Sequence, residues 1–289
     1  MSRTVSDMSA RDRPGRVRAL VRASHPEPAV AVTTVAGLLA WGVGHDPWGV
    51  AAVAATVLAS QLSIGWLNDR IDAGRDALVG RADKPVAAGA LSRRTVGWAG
   101  AAAALATPLA ALALTPAAVA CAVVALISAL LYNWPLKSTP ASGLPYALSF
   151  GALPAFVVLA LPGAPLPPPW MVTAAALLGA GGHFANALPD LADDARTGVR
   201  GLPHRLGTTG TWLAAAGLLS AATVTLVLGP PGPPSWAGLA AVVATTVVLA
   251  GGWYAHRAAA ARGARPVAVF RSVMLVAVID VVLLLVGVL

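Results

Sequence analysis

Apolar residues fall in nine long blocks, near 29–45, 49–67, 95–114, 117–134, 144–161, 170–189, 211–228, 236–255 and 267–288. Each is about the ~20 residues that an α-helix needs to cross a ~30 Å hydrocarbon layer. A single segment can cross that layer only as helix, because lipid offers no partners for exposed peptide groups. Several blocks are rich in Ala and Gly, which allows close approach of helices in lipid. The pattern predicts an all-α polytopic membrane protein with nine transmembrane helices.

Composition agrees: 57% of residues are hydrophobic, 11% are charged and the mean hydropathy is +0.73. A soluble domain carries about 25% charged residues. The net charge of +8 first suggests nucleic acid, but its placement does not. With nine spans, all twenty Lys and Arg residues lie on the same side as the N-terminus. The connectors on the other side ("HDP", "TP", "LPGAPLPPP", "GPPGPPS") carry none. That asymmetry predicts a cytoplasmic N-terminus, a C-terminus on the opposite face of the cytoplasmic membrane, and no nucleic-acid partner. Residues 1–28 are too polar for a secretory signal and form a basic cytoplasmic segment ahead of one nine-helix domain, 29–289. Its "RPGRVRALVRAS" fits a basic helix on anionic headgroups of the membrane lipids, or a basic tail. Cys121 is the single cysteine, which excludes an intramolecular disulfide and suits a small buried filler.

The polar chemistry is gathered in segments 66–94, 132–143 and 183–210, all predicted on the cytoplasmic face. In the first, Asn68, Asp72, Asp76 and Asp69 project at about 0°, 40°, 80° and 100° around a helix. Three carboxylates so close repel one another, and a hard divalent cation removes that penalty; carboxylates with one amide suit Mg²⁺. The second cluster, His183, Asn186, Asp190, Asp193 and Asp194, spans a comparable sector if the helix continues through Pro189. Either cluster alone reads equally well as a solvated helix end. Two of them, with the only lysines, Lys84 and Lys137, in neighbouring loops, make the combination that holds a diphosphate and stabilises it as it leaves.

These residues resemble the UbiA superfamily of intramembrane prenyltransferases. Asn68-Asp69-x-x-Asp72-x-x-x-Asp76 is similar to that family's first Asp-rich motif, followed by Lys84-Pro85-x-x-x-Gly89. Tyr132-x-x-x-x-Lys137 resembles its Tyr…Lys loop. Asp190-x-x-x-Asp194 with Gly198, Arg200, Leu202-Pro203 and Arg205-Leu206-Gly207 resembles the second motif and its tail, with Asp193 where many members have Gly. The resemblance implies nine helices around a central cavity open to the cytoplasmic side. It implies two Mg²⁺ ions held by Asn68, Asp69, Asp72, Asp76, Asp190 and Asp194, and an allylic prenyl diphosphate bound by Arg81, Lys84, Lys137, Arg200, Asn68 and Asn186. A hydrophobic or aromatic acceptor would capture the prenyl cation. Candidates to face that cation are Trp66, Tyr132, Trp134, Phe150 and Phe184, and the two Trp equally suit membrane-interface anchors. His183 suits either acceptor binding and proton removal or plain packing; Asp280, in mid-span, suits a structural hydrogen bond. Two other functions compete. One is a terpene cyclase of the same superfamily. The other is a cation-coupled transporter, whose acids belong near the bilayer midplane rather than at helix ends.

Overall fold

The computed structural model describes residues 13–78, 80–81, 83–189, 191, 194, 198–260 and 267–288. Among these there are ten α-helices and no strand: α1 Arg13–Ala23, α2 Pro26–Gly42, α3 Pro47–Leu78, α4 Arg93–Ala111, α5 Pro116–Asn133, α6 Leu144–Leu159, α7 Pro169–Ala187, α8 Leu202–Leu228, α9 Trp236–Ala260 and α10 Val267–Val286. A 3-10 turn, Leu136–Ser138, follows α5. The nine apolar blocks fall on α2 to α10. Four helices, α3, α5, α8 and the Trp236–Ala255 part of α9, are long and apolar enough on their own to cross a membrane. The protein is membrane-embedded and all-helical.

Local sequence sets the ends of these helices. Pro opens α2, α3, α5 and α7, where its missing N–H is harmless. Ser92 and Thr115 cap α4 and α5 by accepting from the amides of Thr95 (3.0 Å) and Ala118 (3.1 Å). The second cluster departs from its expected register. Helix α7 stops at Ala187, and the Leu188 amide closes a tightened turn on Ala185 O at 3.2 Å. Pro189 follows, and proline neither donates nor tolerates the preceding turn's carbonyl. Gly207, at φ 67 and ψ −179, likewise breaks α8 near its start.

Small residues set the spacing between helices. A Cβ on Gly100 of α4 would lie 2.7 Å from Leu67 Cγ on α3, and one on Gly181 of α7 would lie 2.8 Å from Leu219 Cγ on α8. One apolar core joins α2, α3, α5 and α6 through Leu39, Val53, Ala122 and Phe156. A second joins α7 to α10 through Phe184, Trp212, Leu219 and Val276. Helix α3 matters most for the site. Its 32 residues extend ~48 Å, more than a ~30 Å hydrocarbon layer needs. The surplus, carrying Asn68 to Asp76, stands above the apolar stretch.

Candidate active site

A cavity of about 710 Å³ runs down from that surplus turn between α2, α3, α5, α6 and α7. Its mouth is charged: Asp72, Asp76, Arg75, Arg81, Lys84, Lys137 and Asp194 line it. Its depth is largely apolar, with Val57, Ala122, Leu153 and Phe156 among the lining residues, beside the uncharged polar side chains of Thr56, Ser60, Gln61 and Ser149. Loops far apart in sequence converge there because α3, α5 and α7 all end on the same side.

Asp72 is the hub. Its Oδ2 accepts from Lys137 Nζ (2.7 Å), from an Arg75 guanidinium nitrogen (2.7 Å) and from Asn68 Nδ2 (3.3 Å). Asn68 also donates to Asn133 Oδ1 at 3.2 Å, and Asn133 donates to Ile64 O at 3.1 Å, tying α3 to α5. Asp69 is 1% exposed, and Lys84 Nζ stands 3.2 Å from its Oδ1 in an ion pair. Both Asp69 oxygens are buried and accept no hydrogen bond, so the Lys84 contact is an ion pair without hydrogen-bond geometry. Asp76 is buried, and that burial raises its carboxyl above the usual range, against the pull of Lys84. Across the mouth, Asp194 Oδ2 lies 3.3 Å from His204 Nε2.

This donor set fits a hard divalent cation of a particular kind. All the oxygens are carboxylate or amide, and Asp69 keeps two buried oxygens that accept no hydrogen bond, one of them in the ion pair with Lys84. Among the described residues no three His, Cys, Asp or Glu side chains form a ready-made cage. The cation that suits such a site takes one or two protein carboxylates and completes its shell with phosphate oxygens and water.

Most of the residues singled out from the sequence meet here. Asn68, Asp72, Asp76, Arg81, Lys84, Tyr132, Lys137, His183, Asn186 and Asp194 line the cavity, and Asp69 lies behind them, buried. Arg200 does not: it is exposed, and its carbonyl accepts from Arg205 Nε at 3.3 Å. Asp190 and Asp193 lie outside the described residues. Of the aromatic candidates, Tyr132 and Phe150 line the cavity. Trp134 is 71% exposed, Phe184 belongs to the second core, and Trp66 donates to Leu20 O at 2.9 Å. His183 is buried with Nε2 3.0 Å from Ser142 Oγ and edge-on to Tyr132 at 5.6 Å between ring centroids. Asp280 is fully buried in α10, where Thr223 Oγ1 lies 2.6 Å from its Oδ1.

Four contributors escaped the sequence reading: His25, Asn133, Tyr146 and His204. Tyr146 left a signal, a polar-tipped ring near the start of an apolar block, and it meets Tyr132 edge to face at 4.8 Å and stacks on Phe150 at 6.0 Å. The others come from separate segments, and only the folded chain brings them to the mouth.

An all-helical membrane protein with facing carboxylates and cations above an apolar cavity is built to hold an amphiphile by a polyanionic head. The chain belongs to the UbiA prenyltransferase family, whose profile matches residues 29–279. Its fold is that of the apo UbiA homolog from Aeropyrum pernix K1 (TM-score 0.72, 21% identity, covering 91% of this chain and 98% of that one). It is similar also to the UbiA homolog from Archaeoglobus fulgidus bound to DMAPP and Mg²⁺ (0.69, 14%, 93% and 98%). A third likeness is to a digeranylgeranylglyceryl phosphate synthase (0.70, 16%, 94% and 98%). No curated protein matches the chain by sequence.

Proposed function

We propose that the protein transfers a prenyl group from an allylic prenyl diphosphate to an aromatic or lipid acceptor, with two Mg²⁺ ions, at the cytoplasmic face of the cytoplasmic membrane. In this reading α2 to α10 cross the bilayer nine times with the N-terminus inside. One observation carries it: the carboxylate-and-cation mouth opens onto a largely apolar shaft that carries no charged side chain below Asn68. From Asp72 down α3 to Val57 the shaft runs ~22 Å, enough for a tail of several isoprene units. The Archaeoglobus fulgidus homolog, which holds DMAPP or geranyl diphosphate with Mg²⁺, supports the same reading.

Bound Mg²⁺, held by Asp69, Asp72, Asp76 and Asp194 together with Asp190 and Asn68, would supply Lewis-acid charge to the departing diphosphate. The chain's own cations do the rest of the holding. Lys137 and Arg75, now paired with Asp72, and Lys84 and Arg81 beside them can turn to diphosphate oxygens as the carboxylates take up metal. The C1–O bond then breaks with its electron pair on the leaving diphosphate. Tyr132, Tyr146 and Phe150 present ring surfaces to the allylic cation below, and the apolar shaft excludes water from it. The acceptor's nucleophilic atom bonds to C1 and gives up a proton, for which His183 is an imidazole in the wall beside Tyr132 and Tyr146.

The test is a panel of prenyl diphosphates with purified protein and Mg²⁺, with and without a membrane-lipid extract. Slow diphosphate release alone and fast release with a prenylated product on adding extract is the expected result. Conversion of farnesyl or geranylgeranyl diphosphate to a cyclic hydrocarbon without acceptor would overturn transfer in favour of cyclisation.

A further inference from the structure

Helix α1 and the turn after it lie ahead of the segment matched by the family profile, yet the turn reaches the mouth of the cavity. His25 lines it. Its backbone stands at φ 54 and ψ 66, in the left-handed region where non-glycine residues are uncommon. Strained residues of this kind persist only where their surroundings fix them.

The surroundings of His25 do so. Its amide donates to Arg22 O at 3.2 Å, and its carbonyl accepts from Ala29 N at 3.3 Å. Ser24, 3% exposed, donates from Oγ to Val21 O at 2.8 Å. The Ser24 carbonyl rests against Gly65 of α3, where a Cβ would collide with it. Ala23 is buried in a small core with Ala73, Val86, Leu91 and Val96. Trp66 holds Leu20 from α3, and an Arg22 guanidinium nitrogen donates to Asp83 O at 3.2 Å. The last contact fastens α1 to the residue before Lys84.

What this scaffold aims is the His25 ring. Its Nε2 lies 2.8 Å from Lys84 Nζ. An ammonium only donates, so the ring must accept through a lone pair on Nε2 with its proton on Nδ1. Burial and the Lys84 charge both lower the basicity of His25, against Asp69 and Asp72, which keeps the ring in that neutral form. A neutral acceptor fixes the flexible lysine stem without cancelling its charge. The Asp69 carboxylate, 3.2 Å from Nζ, does cancel it, until a cation takes that carboxylate over.

We propose that His25 is a positioning residue. Held by α1, it sets the Lys84 ammonium toward the polyanionic head of the substrate, so α1 and the turn after it are part of the diphosphate site. This inference rests on the diphosphate reading of the mouth. It is tested by binding of geranyl diphosphate with Mg²⁺ to full-length wild type, His25→Phe, His25→Ala, His25→Gln and Lys84→Ala proteins, and to His25→Phe combined with Lys84→Ala. Phe keeps the ring without an acceptor, and Ala removes both, so a packing failure in one is exposed by the other. Gln keeps an acceptor oxygen near the place of Nε2. Loss of the acceptor should weaken binding roughly tenfold, with Gln within about threefold of wild type. Adding His25→Phe to Lys84→Ala should weaken binding by less than about twofold more. Full additivity of the two losses, Gln as weak as Phe, or unchanged binding by both Phe and Ala would each overturn the role of His25 alone. Wild type that fails to bind geranyl diphosphate with Mg²⁺ would overturn the reading of the site, and this inference with it.

Discussion

Replacing Asp72 by Asn separates what this carboxylate does for the fold from what it does for the reaction. Asn keeps the shape and an acceptor oxygen for Lys137, Arg75 and Asn68, and removes only the charge. Asp72 is 8% exposed, and its two cationic partners have side chains 18% and 22% exposed, so solvent screens these contacts only in part. Deleting one partner of a buried pair is unfavourable by ~3–5 kcal/mol. With the acceptor retained about half of that is expected, ~2 kcal/mol, within the ~5–15 kcal/mol that folded domains possess. Thermal unfolding in detergent should therefore shift down by about 4–8 °C. Mg²⁺-dependent turnover should fall by ~10³-fold or more, which is over ~4 kcal/mol of barrier and too much for the stability loss to explain. Without metal the sign reverses. Lys137 and Arg75 are no longer neutralised, so metal-free binding of a prenyl diphosphate should tighten by roughly tenfold. Asp72→Asn with near-wild-type turnover, or with metal-free binding weaker than wild type, would refute the assignment.

Other perturbations follow from the same contacts. Gly65→Ala drives a methyl into the Ser24 carbonyl; it should destabilise by ~1–3 kcal/mol in thermal unfolding and weaken diphosphate binding as loss of the His25 acceptor does. If affinity is untouched in the folded variant, α1 does not govern the mouth. Asp280→Asn keeps the hydrogen bond to Thr223 and should stay within ~1 kcal/mol of wild type, whereas Asp280→Ala should lose ~1–3 kcal/mol. Turnover per folded molecule should stand in both, and its loss in Asp280→Asn would place Asp280 in the chemistry. Lys137→Ala should raise the KM for prenyl diphosphate more than Lys137→Arg does, because Arg keeps the charge beside Asp72; equal values would leave Lys137 to topology alone.

The part of the site carried by one helix was legible in advance. Asn68, Asp69, Asp72 and Asp76 share α3, and the 3.6-residue repeat carries side-chain direction from sequence to space for as long as the helix lasts. The same repeat fails across Pro189, where α7 has already ended, so the angle between His183 and Asp194 could not be carried over. Arg200 came only from its place in a motif, and a loop residue's place in a motif does not fix where its guanidinium points. Trp134 and Phe184 were candidates as ring faces for the cation, and neither lines the cavity. Trp134 lies just past the end of α5 on extended backbone and is exposed, and Phe184, about 100° around α7 from His183, packs into the second core. His25 and Asn133 had no local pattern at all, since what makes each polar side chain useful is a partner 59 or 65 positions away.

The same pairings explain how so much charge can rest at the end of apolar helices before any ligand arrives. Asp72 against Lys137 and Arg75, and Asp69 against Lys84, leave few bare charges at the mouth, which limits the desolvation that an unpaired ion would suffer there. Hydrogen bonding is incomplete at the two Asp69 oxygens, which are buried and accept none even though Lys84 neutralises the charge. A diphosphate arriving with divalent cations offers each side a new partner: phosphate oxygens for the lysines and arginines, metal for the carboxylates. Neither ligand component alone offers that exchange, because cation without diphosphate strands the lysines and diphosphate without cation strands the carboxylates. Binding of the two should therefore be mutually reinforcing, each raising the affinity for the other by the same factor.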